Sequence, residues 1–261
     1  MINMNSDYMT TVKFLKATDE AVQKFGKGFC FCALYGSQNY NLNSDTSDVD
    51  VKVAFLPSAQ DVLLAPTRQA MTLTKEGSTD NTTLAKDLRD VFLEFYKQNL
   101  NFLEVLATPY FHTSHEFKPV FEELRAHSNE VARYYERGFY LCTCGLFNKL
   151  DTDFQRGRFD YKKLVFGLYL RDFVLKYAND VEFKDCFFAP HAEFYRKLKV
   201  NQENEASLQQ CMEMWNDAKL MMDGYFEKAN KMSTTRNDAT KKWMDELLYD
   251  YVWKYVVLEG K

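Results

Sequence analysis

The stretch from Leu34 to Val53 constrains this chain more than any other. An apolar run ends in Gly36-Ser37, a polar connection follows, and a second apolar run opens with Asp48-Val49-Asp50. Read as a strand, the second run puts Asp48, Asp50 and Lys52 on one face and Val49, Val51 and Val53 on the other, because strand side chains alternate. Two carboxylates side by side repel each other, and a cation between them relieves the repulsion. Mg²⁺ takes one or two carboxylates in such sites and completes its octahedron with phosphate oxygens and water. A Gly-Ser turn suits a phosphate group. Glycine lets the backbone approach closely, and serine adds a hydroxyl beside N–H groups that face the anion. An Asp-x-Asp pair alone is commonest on a solvated strand edge. The combination of Gly36, Ser37, Ser47, Asp48 and Asp50 points further, to a site for a metal-bound nucleoside triphosphate (NTP).

The same residues carry a family resemblance. Gly36-Ser37, a loop and Ser47-Asp48-Val49-Asp50 resemble the core motif of the DNA polymerase β-type nucleotidyltransferase superfamily. The resemblance is closest to the Gly-Ser-(His/Gln)-x-Tyr-Gly-(loop)-Ser-Asp-x-Asp signature of predicted bacterial and phage nucleotidyltransferases. Asn41 stands where that signature has Gly. Asn is the non-glycine residue that best tolerates left-handed backbone, so a turn at Asn41 survives the change.

The resemblance implies transfer of a nucleoside monophosphate from an NTP to an acceptor hydroxyl. Gly36 and Ser37 would seat the β- and γ-phosphates, and Asp48 and Asp50 would hold Mg²⁺. It also implies a third carboxylate, the general base, on a following strand. Asp80 and Asp87 are the two candidates, and Asp80 is the one expected to serve. Asp87 directly precedes the amphipathic run Leu88, Val91, Phe92, Phe95 and reads equally as a helix N-cap. Leu88-Arg89, Asn99, Asn101 and Glu104 match a further segment of the same family, with Leu100 where Pro is usual. Glu104 is expected to be a buried carboxylate holding backbone or Arg partners.

The later half has one charge feature. Between Phe154 and Lys176 stand Arg156, Arg158, Lys162, Lys163, Arg171 and Lys176 against Asp160 and Asp172, in a chain whose net charge is −4. Such a run is either a solvated basic face or a clamp for phosphates. The run Tyr161-Lys162-Lys163…Leu170-Arg171 resembles the family's helical pattern Tyr-x-x-Lys…His…Arg-Leu, although the His is absent, Gly167 lies nearby, and the spacing is one residue long. That resemblance implies Lys163 and Arg171 as cations for the leaving pyrophosphate.

Composition removes other classes. A net charge of −4 gives no global basic field for nucleic acid, so any polyanion site must be local. Residues 1 to 9 lack the pattern of a signal peptide, and the longest apolar run, Phe29 to Tyr35, is far too short to span a membrane. The six cysteines do not follow zinc spacing and read as reduced, mostly buried thiols of a cytoplasmic protein. No Ser/His/Asp constellation supports covalent hydrolysis.

The patterning predicts a helix over 8–25, strands over 29–35 and 48–56, and a hairpin of strands over 69–75 and 79–86. A helix over 87–98 follows, and from 116 onward the chain reads as helical, with long helices over 201–232 and 238–258. The expected fold is α+β, with a mixed sheet flanked by helices in residues 1–115 and a helical bundle in 116–261. The expected activity is Mg²⁺-dependent nucleotidyl transfer; a non-catalytic nucleotide-binding regulator, antitoxin-like, is the alternative. RNA, DNA, a protein side chain and a small molecule all stay open as acceptor.

Overall fold

A computed structural model describes residues 4–43, 47–64, 70–73, 82–158, 160–201 and 204–258. Its first half runs α1 (Met4–Phe25), β1 (Phe29–Tyr35), β2 (Asp50–Phe55), α2 (Ala59–Leu64), β3 (Ala70–Thr72) and β4 (Thr83–Asp87). Then come α3 (Leu88–Tyr96), α4 (Leu100–Leu103) and β5 (Phe111–Thr113). After β5 the described elements are helical: α5 (Lys118–Ala126), α6 (Ser128–Ala132), α7 (Glu136–Gln155), α8 (Tyr161–Ala178), α9 (Phe183–Cys186), α10 (Ala192–Asn201), α11 (Leu208–Lys231) and α12 (Asp238–Val252). The protein is thus mixed α+β.

The strands form one sheet in the order β3-β4-β2-β1-β5. β2 lies antiparallel to β1 and parallel to β4. β1 is apolar throughout because both of its faces are covered. On one face Cys32, Leu34, Val51 and Val53 pack with Phe14 and Ala21 of α1. On the other, Phe31, Ala33 and Ala54 join a cluster of buried side chains that continues through the later helices as far as Val256. A register shift between Phe29 and Phe31 interrupts the alternation, as a β-bulge does, and Cys30 and Phe31 therefore share the second cluster.

Aromatic rings fill much of that second cluster. Phe139 stacks on Tyr177 with centroids 3.9 Å apart, and Trp215 stacks with Phe147 and with Phe154 at 4.7 and 5.1 Å. Five of the six cysteines are buried, and all six are free. Among the described residues no helix is long and apolar enough to cross a membrane.

Two expected elements differ. The run over 201–232 is not one helix: α10 ends at Asn201 and α11 begins at Leu208. There Ser207 and Gln210 form a reciprocal capping box that satisfies the first free N–H groups of α11. The last helix leaves α geometry at Val252 and continues over Trp253–Leu258 as a π-helical turn. The β3–β4 pair is antiparallel as expected, with Ala70 opposite Lys86 and Thr72 opposite Leu84, and residues 74–81 lie outside the described residues.

Candidate functional site

β1 hands the chain to a tight turn. Gly36 sits at φ +89°, the left-handed region that glycine enters without steric cost. The Asn39 N–H then donates to the Gly36 carbonyl at 2.9 Å, and the Leu42 N–H to the Ser37 carbonyl at 3.0 Å. Asn41 sits at φ +57°, the left-handed backbone that Asn tolerates better than other non-glycine residues. The Asn39 side chain ties the turn to its strand by donating to the Leu34 carbonyl at 2.9 Å, and its oxygen accepts from Thr108 Oγ1 at 2.7 Å.

Beneath this turn lies Glu104, fully buried. Its Oε1 accepts the Gly36 N–H at 2.7 Å, and its Oε2 accepts the Tyr40 hydroxyl. Glu104 is therefore a buried carboxylate with a backbone partner, as expected, but its second partner is a tyrosine and not an arginine. The Gly36 amide faces inward. What Gly36 offers a ligand is its backbone conformation, and the hydroxyl of the turn is that of half-buried Ser37.

The turn opens onto a cleft of about 350 Å³. Gly36, Ser37, Ser47, Asp48 and Asp50 line it from the sheet side; Lys162, Val165 and Phe166 of α8 and Lys199 of α10 line it from the helices. Asp50 opens β2, and its Oδ1 accepts the Thr82 N–H at 3.0 Å. Partial burial pushes the Asp50 carboxyl above the usual carboxylate range; the Thr82 N–H pulls it down, and neighbouring Asp48 pushes it up again. Lys162 Nζ stands 3.8 Å from Asp48 Oδ2. Lys199 Nζ donates to the Leu42 carbonyl and to Ser47 Oγ, both at 3.2 Å. Burial, with Lys162 close by, lowers the Lys199 ammonium below its ordinary value.

Lys52 lies just behind the cleft, on the same face of β2 as Asp50. It is buried, with its Nζ on the Asn101 carbonyl and 3.5 Å from the centre of the Tyr35 ring. Burial lowers it to about 8, against the opposing pull of Glu104 and Asp50.

The structure brings Gly36, Ser37, Asp48 and Asp50 together. Asp80 lies outside the described residues. Asp87 is at the far end of β4, paired with Phe55 and not with the start of β2, where it caps α3 by accepting the Arg89 N–H at 2.8 Å. The structure does not bring the two expected phosphate cations to the cleft. Lys163 Nζ is bound to Asp153 at 2.8 Å, and Arg171 is held by Asp172 and Tyr195, so neither lines the cleft. A helix turns about 100° per residue, and the one-residue step from Lys163 to Lys162 moves a cation from one face to another. Lys162 stood in the basic run and was readable from sequence. Lys199 carried no signal, because its partners Leu42 and Ser47 are 157 and 152 residues earlier in the chain.

Among the described residues no group of three or more His, Cys, Asp or Glu side chains could hold a metal ion. Asp48 and Asp50 alone offer two carboxylates, which fits the one or two that Mg²⁺ takes when phosphates complete its shell.

No protein-family model matches the chain, and no curated protein matches it. Among solved structures, a nucleotidyltransferase-like protein from Exiguobacterium sibiricum 255-15 is similar at 12% identity with a TM-score of 0.34, over 82% of this chain and 77% of that one.

Proposed function

We propose that this protein is a Mg²⁺-dependent nucleotidyltransferase that moves a nucleoside monophosphate from an NTP to an acceptor hydroxyl. The observation that carries the reading is the convergence of a carboxylate pair, a serine turn and two lysines from separate helices on one cleft. Asp48 and Asp50 would hold Mg²⁺, which when bound offsets charge on the phosphates and on the attacking oxygen. Ser37 meets the phosphates from the turn, while Lys162 and Lys199 meet them from the helices. To do so, Lys162 leaves Asp48, and Lys199 exchanges its contacts with Leu42 and Ser47 for phosphate oxygens. Asp80 is the proposed base, and the acceptor is a nucleic acid, a protein or a small molecule.

One observation favours a second reading, a non-catalytic nucleotide-binding regulator. Among the described residues only Asp48 and Asp50 bring carboxylates to the cleft wall, and Thr82 of the adjoining chain segment meets Asp50 with its backbone N–H. Incubation with Mg²⁺, each radiolabelled NTP and a mixed cell extract separates the two. Label transferred to a macromolecule or small molecule, with pyrophosphate released, supports transfer. Binding by calorimetry with no label transferred supports the regulator, and no binding of any NTP sinks both.

The reassigned cations yield a direct prediction. Lys162→Met and Lys199→Met are each expected to weaken Mg·ATP binding by about tenfold, the worth of one charged hydrogen bond. Lys163→Met and Arg171→Met are expected to leave it within about twofold, since those residues belong to other ion pairs. Calorimetry on the four variants checks this. Stronger loss at Lys163 and Arg171 than at Lys162 and Lys199 would return the phosphate site to the family pattern.

A further inference from the structure

We propose that Glu104 is the positioning residue of the Gly36–Leu42 turn. The inference rests on the NTP reading above. Glu104 and Lys52 do not line the cleft, so neither touches the reacting groups. Each carboxylate oxygen of Glu104 holds a different part of the turn: Oε1 the Gly36 N–H and Oε2 the Tyr40 hydroxyl. Tyr40 is itself fixed, its ring stacked on Tyr169 with centroids 4.1 Å apart. Ser37 lies between these two anchors, so the direction of its hydroxyl follows from where Glu104 holds them. Removing the oxygens would take the partner from a part-buried N–H and a buried O–H.

A lone carboxylate beneath a triphosphate would repel it. Burial raises the Glu104 carboxyl, and Lys52, itself buried on β2, draws it back down with the opposite charge.

The test compares two variants in one background. Glu104→Gln with Lys52→Met keeps an oxygen for the Gly36 N–H, while Glu104→Leu with Lys52→Met removes it; both delete the whole charge pair. Mg·ATP affinity is measured by calorimetry, and the Gly36 amide is followed by NMR on protein labelled at its ten glycines. The Gln variant is expected to bind within about threefold of wild type, and the Leu variant to bind about tenfold or more weakly, with faster exchange of the Gly36 amide. A role in stability alone would shift the melting midpoints without separating Gln from Leu in ATP affinity. Should the Leu variant not fold, Tyr40→Phe, at a residue that itself lines the cleft, replaces it; a smaller loss of affinity is expected, with a lower midpoint because the buried Glu104 Oε2 loses its donor. Equal ATP affinity in the Gln and Leu variants, with wild type binding normally, overturns the positioning role and leaves the NTP reading intact. If wild type binds no NTP, the NTP reading fails and this inference with it.

Discussion

The double substitution Asp48→Asn, Asp50→Asn is expected to abolish Mg²⁺-dependent NTP turnover while leaving the chain folded. Both side chains keep their shape, and the carboxamide oxygen introduced at position 50 can still accept the Thr82 N–H that Asp50 accepts at 3.0 Å. What is lost is charge: a carboxamide is a poor ligand for a hard cation, and in the proposed site it would leave the phosphates without their bridge to the sheet. A drop of about a thousandfold or more is expected in label transfer, in line with several kcal/mol of transition-state stabilisation. Stability should move the other way. The Asp50 carboxyl is held above its ordinary value by burial and by Asp48, so its ionised form is disfavoured in the folded state relative to the unfolded chain. At pH 7 the double variant is therefore expected to melt at the same temperature as wild type or higher. A site that is less stable with its native residues than without them is a common mark of function. Full turnover in the double variant would remove Asp48 and Asp50 from the site, and a lower melting midpoint would show that the carboxylates serve the fold instead.

How far such a site can be read in advance depends on the range of the forces that build it. Local backbone chemistry was legible. Asn41 adopts φ +57° because Asn tolerates what the turn requires, and Asp87 caps α3 because its carboxylate follows a strand and precedes an amphipathic run. The alternation of β2 was legible as well: Val51 and Val53 pack against α1, while Asp50 and Lys52 face the other way. The capping box of α11 was readable at Ser207 and Gln210, yet the apolar periodicity around it suggested a single long helix.

Long-range side-chain contacts were not legible in this way. Lys199 reaches the loop through the fold of α10 over the cleft, and no spacing in sequence connects it to Leu42 or Ser47. Lys163 and Arg171 matched a family pattern, but each has an acidic partner nearer than the cleft, Asp153 and Asp172. An ion pair formed within one helix or between neighbouring ones competes directly with a functional role for the same cation. Gly36 shows the same limit from the backbone side. The Gly-Ser pair marks the turn correctly, but the direction of the Gly36 amide is decided by Glu104, which lies 68 residues further on.

Gly167→Ala is expected to destabilise the protein by about 3 kcal/mol, near the upper end for overpacking a core. Glycine in the middle of α8 is itself unfavourable by roughly 1 kcal/mol against alanine, so its presence calls for a packing reason. That reason is Trp215. A Cβ at position 167 would lie 2.3 Å from Trp215 Cζ3, 2.8 Å from Cη2 and 3.3 Å from Phe147 Cε2. The indole cannot slide aside, because Phe147 and Phe154 stack on it and its N–H donates to Asp151 Oδ1 at 2.9 Å. At roughly 2–4 °C per kcal/mol for a chain of this size, the melting midpoint should fall by about 6–12 °C. The effect also reaches the cleft, since α8 carries Lys162, Val165 and Phe166, and a helix pushed away from α11 shifts all three relative to Asp48. Repeating the substitution in a Trp215→Leu background isolates the cause. Without the ring, only Phe147 Cε2 at 3.3 Å still crowds the added methyl, and its cost should shrink to well under that in the wild-type background. The same loss in both backgrounds would mean that something other than Trp215 requires glycine there.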